Sequence, residues 1–419
     1  LASRTRPPVI PSRTDLAKAE GRFYVENVYI GTGMDQVEPG TVKSLRIVES
    51  PEKRFWTGHG WDGGTGQQAP GMAWNDFNNK RIIGTVPVEA DGSAYFSVPA
   101  DTFLYFQLLD ERGMMVQSMR SGTIVRPGEV IGCIGCHEDR RSTFVPRNTS
   151  KAMLRGPDSP KPWYGPTRLF SYTAEVQPVF DKHCTTCHDY GNQAGKVLNL
   201  AGDRNLVFNT SYTELRAKDY VHVVGAGPHP VQMPMSWGSH ASRLAKVLLG
   251  GHGNPEIDQQ VRLDAEAFGR IITWMDINAP YYPDYASAYR DHPYGRSPIT
   301  QTELDRLAEL TGANLKDRWK HGLVNFGRPE LSACLALLEP NDPRREEALT
   351  IIRAGQTRLA KRPRADMPEF RLVAPVEIAQ QEKYDSLMAA RAAMQAAIAR
   401  GERLYPPERD IPSKEPSQP

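Results

Sequence analysis

Two copies of one short cysteine–histidine pattern constrain this chain more than any other stretch. The first is Cys133-Ile134-Gly135-Cys136-His137 and the second is Cys184-Thr185-Thr186-Cys187-His188. Cys-x-x-Cys-His is the attachment pattern for c-type haem. Two intervening residues let both thiols reach the two vinyl groups of one porphyrin, and the next histidine falls beneath the iron as an axial ligand. A structural zinc site would pool two cysteine pairs into one tetrahedral set, with no use for a histidine beside each. A thioredoxin-like redox pair would not need that histidine twice. The expectation is two covalently bound haem c groups, attached through Cys133, Cys136, Cys184 and Cys187. His137 and His188 are the expected metal ligands.

A chain of 419 residues is too long for one core and predicts two or three domains. Residues 1–20, with Pro7, Pro8 and Pro11 ahead of a charged run, read as an extended arm. From Arg22 the pattern turns to strands. Phe23–Ile30, Val42–Val48, Ile82–Val88, Ala94–Val98, Leu104–Leu109 and Met114–Met119 are β-branched and aromatic, with Asp91-Gly92 and Arg112-Gly113 placed where hairpins should turn. Short strands at that spacing suggest an antiparallel sandwich, followed by the first motif on a loop after Pro127-Gly128-Glu129. Residues 140–170 are rich in Pro, Arg and Ser and read as a linker.

Beyond it the period becomes helical. Thr173 can cap a short helix that delivers the second motif, with Pro178 loosening its middle. Ser239 can cap Ala241–Leu249, and Asn254-Pro255 opens a long helix with Ile257, Val261, Ala265, Phe268, Ile272 and Met275 on one face. Thr300-Gln301-Thr302-Glu303 is a capping box with Gly312 as its stop, and Glu330–Leu338, Arg344–Leu359 and a surface-lying Val376–Arg400 complete the helices. The expected fold class is α+β multidomain. It comprises an antiparallel β-sandwich over 21–145 carrying haem 1, an α-helical cytochrome c-like domain over 146–290 carrying haem 2, and a helical C-terminal extension over 291–405. Residues 406–419 read as a disordered tail.

The formal net charge of +2 suggests neither nucleic acid nor an acidic membrane surface as a partner, and no apolar run approaches a transmembrane span. Because haem c is attached outside the bacterial cytoplasm and the sequence opens on Leu1, a periplasmic or extracellular protein with its signal peptide removed is expected. Cys334, among apolar neighbours, should be a buried and inert thiol. For the second haem, His252 is the preferred sixth ligand, since it sits on a loop just past the Gly250-Gly251 stop; Met233, Met235 and His240 follow. For the first haem, His59 and Asp62 lie in a glycine-rich loop and are candidate acid/base groups or ligands, with Met119 a further candidate for the iron.

The run Gly84-Thr85-Val86-Pro87-Val88-Glu89, then Asp91-Gly92-Ser93, Gln117-Ser118-Met119-Arg120-Ser121 and Pro127-Gly128-Glu129, resembles the middle domain of the hydrazine synthase alpha subunit family. Gly251-His252, Trp274-Met275-Asp276 and Ala279-Pro280-Tyr281-Tyr282 resemble that family's C-terminal haem domain. The resemblance covers roughly residues 20–290. It implies that the first haem is where nitrogen species combine and that the second is a bis-histidine electron relay, with His252 as its ligand. Two features depart from the family. Its propeller domain is not seen ahead of this region, and its tyrosine four residues after the first motif histidine, which frees that histidine for a zinc, is Arg141 here. His137 should therefore keep the usual iron-binding role. Bacterial dihaem peroxidases also pair two such motifs, but lack a long strand-rich region before the first.

The expected function is electron transfer by a dihaem cytochrome working with other redox proteins or inside a larger complex. The alternative is an enzyme acting on a small nitrogen or oxygen species at haem 1, and a third reading is a haem-bearing subunit with a mainly structural role.

Overall fold

Strands form where β-branched and aromatic residues run together, and side chains alternate between two faces along each. The computed structural model describes residues 13–52, 54–55, 79–136, 150–224, 232–315 and 322–402. Its strands are β1 (Glu20–Val25), β2 (Ser44–Glu49), β3 (Arg81–Pro87), β4 (Ala94–Pro99), β5 (Leu104–Leu109), β6 (Met115–Ser118) and β7 (Val130–Cys133). They make two sheets, ordered β4-β1-β7 and β3-β2-β5-β6. Phe23 and Phe96 of the first sheet meet Phe106 of the second, with ring centroids 5.1 and 5.3 Å from it. Each such ring, fully buried, contributes about 1.5–3 kcal/mol.

Three local expectations change here. β7 runs parallel to β1, so the sandwich is not wholly antiparallel, and the first motif begins on a strand rather than on a loop. The Asp91-Gly92 turn joins β3 and β4, which lie in different sheets, so it makes no hairpin. Arg112-Gly113 does turn the β5–β6 hairpin, where the Asp110 carboxylate accepts from the backbone N–H groups of Arg112 and Met114, each at 2.9 Å.

The segment read as a linker packs on the sandwich over its described part. It forms a short helix, α1 (Lys151–Arg155), and bridges Phe96 to Asp158, Thr85 to Lys161 and Arg81 to Leu169. The helix expected from Thr173 starts earlier, as α2 (Tyr172–Glu175) and α3 (Gln177–His183). Pro178 lies in the first turn of α3, where its missing N–H costs nothing, rather than in a helix middle. α4 (Gln193–Val197) and α5 (Thr210–Ala217) follow, then α6 (Arg243–Leu248), preceded by Ser242 rather than Ser239. The long helix expected after Asn254 is two, α7 (Pro255–Gln260) and α8 (Ala265–Asp276). A second cap divides them: the Asp264 side chain accepts from Ala267 N–H at 2.7 Å. Ile257 on α7 is consequently exposed, while Ile271, Ile272, Trp274 and Met275 of α8 are buried.

α9 (Gln301–Thr311) has the expected reciprocal capping box between Thr300 and Glu303, and Gly312 ends it at φ 71°. Glu330–Leu338 is two short 3₁₀ turns instead of a helix, separated by extended Ser332. α10 (Arg344–Lys361) and α11 (Pro375–Ala399) close the described chain. Only Glu377 and Ala397 of α11 are buried, as its weak apolar stripe implied. Among the described residues no helix is long and apolar enough to cross a membrane.

One hydrophobic core runs from Phe170 to Ala365 and takes in Val48 and Ile82 of the β3-β2-β5-β6 sheet and Met114 just before β6. That sheet is therefore buried on both faces. Leu45, Ile47, Leu104, Phe106 and Leu108 point into the sandwich. Arg46 and Gln107, direct partners across β2 and β5, point the other way and meet α8.

Candidate functional site

The first motif grows out of β7. Cys133 is paired with Val25 in the parallel ladder, and its carbonyl accepts from Glu26 N–H at 2.9 Å. Ile134 O accepts from Asn27 N–H at 3.1 Å, and Cys136 N–H donates to Ile30 O at 2.7 Å. The backbone from Glu26 to Ile30 thus fixes both thiols. A Cβ at Gly135 would collide with the Ile30 carbonyl, so this close approach needs glycine between the cysteines. Cys133, Gly135 and Cys136 open onto a cavity of about 280 Å³. Val25, Val28, Leu45, Phe106 and Leu108 make its apolar wall, Ser121 and Thr123 add hydroxyls, and Met119 adds a thioether. His137 lies outside the described residues, as do His59, Asp62 and Arg141.

The second motif is delivered by α3. Cys184 is its C-cap, with the N–H bonded to Phe180 O at 2.8 Å. The chain then turns so that Cys187 and His188 both donate to Cys184 O, at 3.1 and 2.9 Å. Burial, with the Asp181 carboxylate and Cys187 adding to it, pushes the Cys184 thiol up to about 12, so it stays protonated at neutral pH. None of the five cysteines is in a disulfide. Among the described residues no group of three or more His, Cys, Asp or Glu side chains is placed to hold a metal ion by itself.

The His188 ring is oriented by the backbone. Its Nδ1 lies 2.8 Å from Leu198 O, and its own carbonyl accepts from Leu200 N–H at 2.8 Å. A carbonyl can only accept, so Nδ1 carries the proton and the lone pair sits on Nε2. That is the tautomer an iron-binding imidazole requires, with a backbone partner setting its orientation. His188 and the two thiols therefore fit a c-type haem.

The loop after His188 is held from two sides. A Cβ at Gly195 of α4 would collide with the Asp189 backbone. Arg328, far along the chain, donates to both Asp189 oxygens at 2.7 and 2.9 Å and pairs with Asp203, with its guanidinium 4.9 Å from the Tyr190 ring centroid. No sequence motif marks Arg328 or the Leu198 carbonyl as partners of the site.

The candidate sixth ligands fall in different places. His252 precedes α7, and its Nδ1 lies 2.9 Å from Asp258 Oδ1, which leaves Nε2 as the nitrogen for another partner. His240 is engaged elsewhere, with Nε2 3.1 Å from Asp110 Oδ2 on the β5–β6 turn. Met233 and Met235 sit against the sandwich. Met235 N–H donates to Val116 O at 2.8 Å, and a Cβ at Gly33 would lie 3.0 Å from Met233 Cε.

Residues 40–138 match the family model of the hydrazine synthase alpha subunit middle domain, a range that closes just after the first motif. Over 228 residues the chain is 27% identical to hydrazine synthase subunit alpha of Kuenenia stuttgartiensis, covering 41% of this chain and 28% of that protein. A solved structure of Kuenenia stuttgartiensis hydrazine synthase is similar at 19% identity and a TM-score of 0.45, covering 63% of this chain and 43% of that one. The chain thus spans well under two thirds of the length of either relative.

Proposed function

From the premise that this chain belongs to the hydrazine synthase alpha-like family, we propose that it is a dihaem c-type cytochrome that transfers electrons as one subunit of a larger redox complex outside the bacterial cytoplasm. The observation that carries the reading is the His188 ring, fixed through Nδ1 to the Leu198 carbonyl beside the Cys184 and Cys187 thiols. Cys184 and Cys187 would hold one haem covalently, with His188 as axial ligand and His252, oriented by Asp258, as the sixth. Cys133 and Cys136 would hold the other, with His137 following directly in sequence. Haem c so bound supplies a one-electron couple whose potential its axial ligands and surroundings set. The chain's part is to hold both attachment loops rigid, keep water from the apolar wall beside Cys133, and keep the His188 and His252 imidazoles in their iron-binding tautomer. Two strong ligands at the second site leave no place for a substrate, which suits a relay.

A second reading is favoured by one feature. Ser121 and Thr123 place hydroxyls on the cavity beside Cys133 and Cys136. If no side chain bound the first iron, a small nitrogen or oxygen species could bind there, as the name of the curated relative suggests. Exposure of the reduced protein to carbon monoxide or nitric oxide separates the two: a spectral shift supports an enzyme, and two unresponsive low-spin haems support a relay.

The primary test is the mass of the denatured protein after maturation in a bacterium that attaches haem c. Two groups add ~1.2 kDa to the polypeptide. A chain that runs at its bare mass defeats the proposal.

A further inference from the structure

Resting on the haem reading above, we propose that Met119 supplies the sixth ligand of the first haem, so that the two haems differ in ligation and in potential. The first cavity contains few groups able to bind iron. Apart from the two thiols, which attachment consumes, its wall is aliphatic and aromatic carbon, one glycine, the weakly ligating Ser121 and Thr123 hydroxyls, and the Met119 thioether. Among the described residues that line it there is no histidine, lysine, tyrosine or carboxylate.

Three described methionines within the sandwich, Met34, Met114 and Met115, are committed to packing or to other contacts. Met34, Met114 and Met115 are 0%, 4% and 1% exposed, and the Met115 sulfur lies 3.1 Å from Gln107 Nε2, on the face turned toward α8. Met119 is half-buried, at the end of β6, with its N–H donating to Phe106 O at 2.9 Å. That bond fixes its backbone beside a cavity-lining ring, which lowers the entropy cost of holding the thioether in place. Thioether sulfur is a soft, neutral donor, and His/Met ligation raises the potential of a c-type haem above that of a pair of imidazoles. Electrons would then run downhill from the second site to the first.

The test uses the full chain matured with haem, compared with its Met119→Leu, Met119→His and Met233→Leu variants. The visible spectrum of the ferric protein and potentiometric titration are the readouts. Expected are a sulfur-to-iron charge-transfer band in the wild type, its loss with one high-spin haem in Met119→Leu, and its retention in Met233→Leu. Met119→His should restore a low-spin state and lower the higher of the two midpoint potentials toward the other. A wild type without the band, or a band that survives Met119→Leu, overturns the assignment. If Met119→Leu fails to fold, Met119→His carries the test alone: two unchanged potentials overturn it. The denatured mass separates the two levels of failure, since a chain without haem sinks the proposed function, whereas two attached haems with a spectrum indifferent to Met119 sink only this inference.

Discussion

Replacing Asp276 with alanine should cost about 4 kcal/mol, more than any ordinary surface change. Asp276 ends α8 and is fully buried against the outer face of β2 and β5. Its Oδ1 accepts from Ser239 N–H at 2.8 Å, while its Oδ2 accepts from Met115 N–H at 3.2 Å and lies 3.4 Å from Arg46 Nη1. Alanine leaves the buried Ser239 N–H without this acceptor, at about 1–3 kcal/mol, and the Met115 N–H with only its longer 3.4 Å bond to Ser239 Oγ. It also leaves the Arg46 guanidinium buried without its counter-charge, and breaking a buried pair costs about 3–5 kcal/mol. These terms overlap, and Arg46 keeps Gln107 Oε1 at 3.0 Å and Gly113 O at 3.1 Å, which is why the estimate stays near the lower bound. Urea unfolding of the haem-loaded protein should show a lower midpoint at constant slope. In the double variant Arg46→Met/Asp276→Ala no charge is stranded, so it should be more stable than Asp276→Ala alone. A loss under about 1 kcal/mol, or a double variant no better than the single, would refute the reasoning.

Two further outcomes follow from other buried groups. Burial alone would raise the Asp366 carboxyl, but Arg364, Arg204 and the Tyr281 hydroxyl hold it down at about 2. Its contribution is therefore complete above the ordinary value of 3.8 and is lost as pH falls toward 2, a span equivalent to about 2 kcal/mol. Asp366→Asn should be less stable than wild type at pH 7, with the gap closing in acid unfolding titrations; a gap independent of pH would count against the ion pair as its source. Gly195→Ala should displace the backbone after His188, since the new methyl has no room beside Asp189. The denatured variant should lose one haem, ~0.6 kDa, and retention of both at wild-type occupancy would show that the loop can yield.

Much of the sandwich was legible because its strands alternate or run apolar between turn residues, and most observed boundaries fall within a residue or two of those read from the pattern. β1 differs more, since Asn27 to Ile30 leave the ladder and supply the carbonyl that anchors Cys136. What the sequence hid was the fate of the second sheet face. Arg46 and Gln107 look like solvent-facing residues of half-buried strands, and nothing near them announces a helix end that arrives more than 150 positions later to bury them. The split between α7 and α8 was hidden for a related reason. The i, i+3, i+4 pattern continues across the break, and only the Asp264 cap distinguishes two helices from one. At the motifs, cysteine spacing was readable from sequence alone, whereas the Leu198 carbonyl that selects the His188 tautomer is a backbone group and leaves no mark on side-chain identity.

The covered sheet face also bears on the proposed electron transfer, which would depend on a fixed separation between the two attachment sites. Leu45, Phe106 and Leu108 line the cavity beside Cys133 and Cys136. Their strand neighbours Arg46 and Gln107 reach through the opposite face to Asp276, so one strand pair touches the first site on one side and α8 on the other. From α8, Trp274 packs against Tyr172 in a tilted arrangement with centroids 5.0 Å apart, and Tyr172 begins the helical segment that ends at Cys184. Between covalent stretches of strand and helix, this path is linked by buried hydrogen bonds, the Arg46–Asp276 ion pair and the Trp274–Tyr172 ring contact. A hinge between the two motifs would have to strand a charge or open an aromatic contact, so rigidity between them is built into the same residues that give the sheet its second buried face.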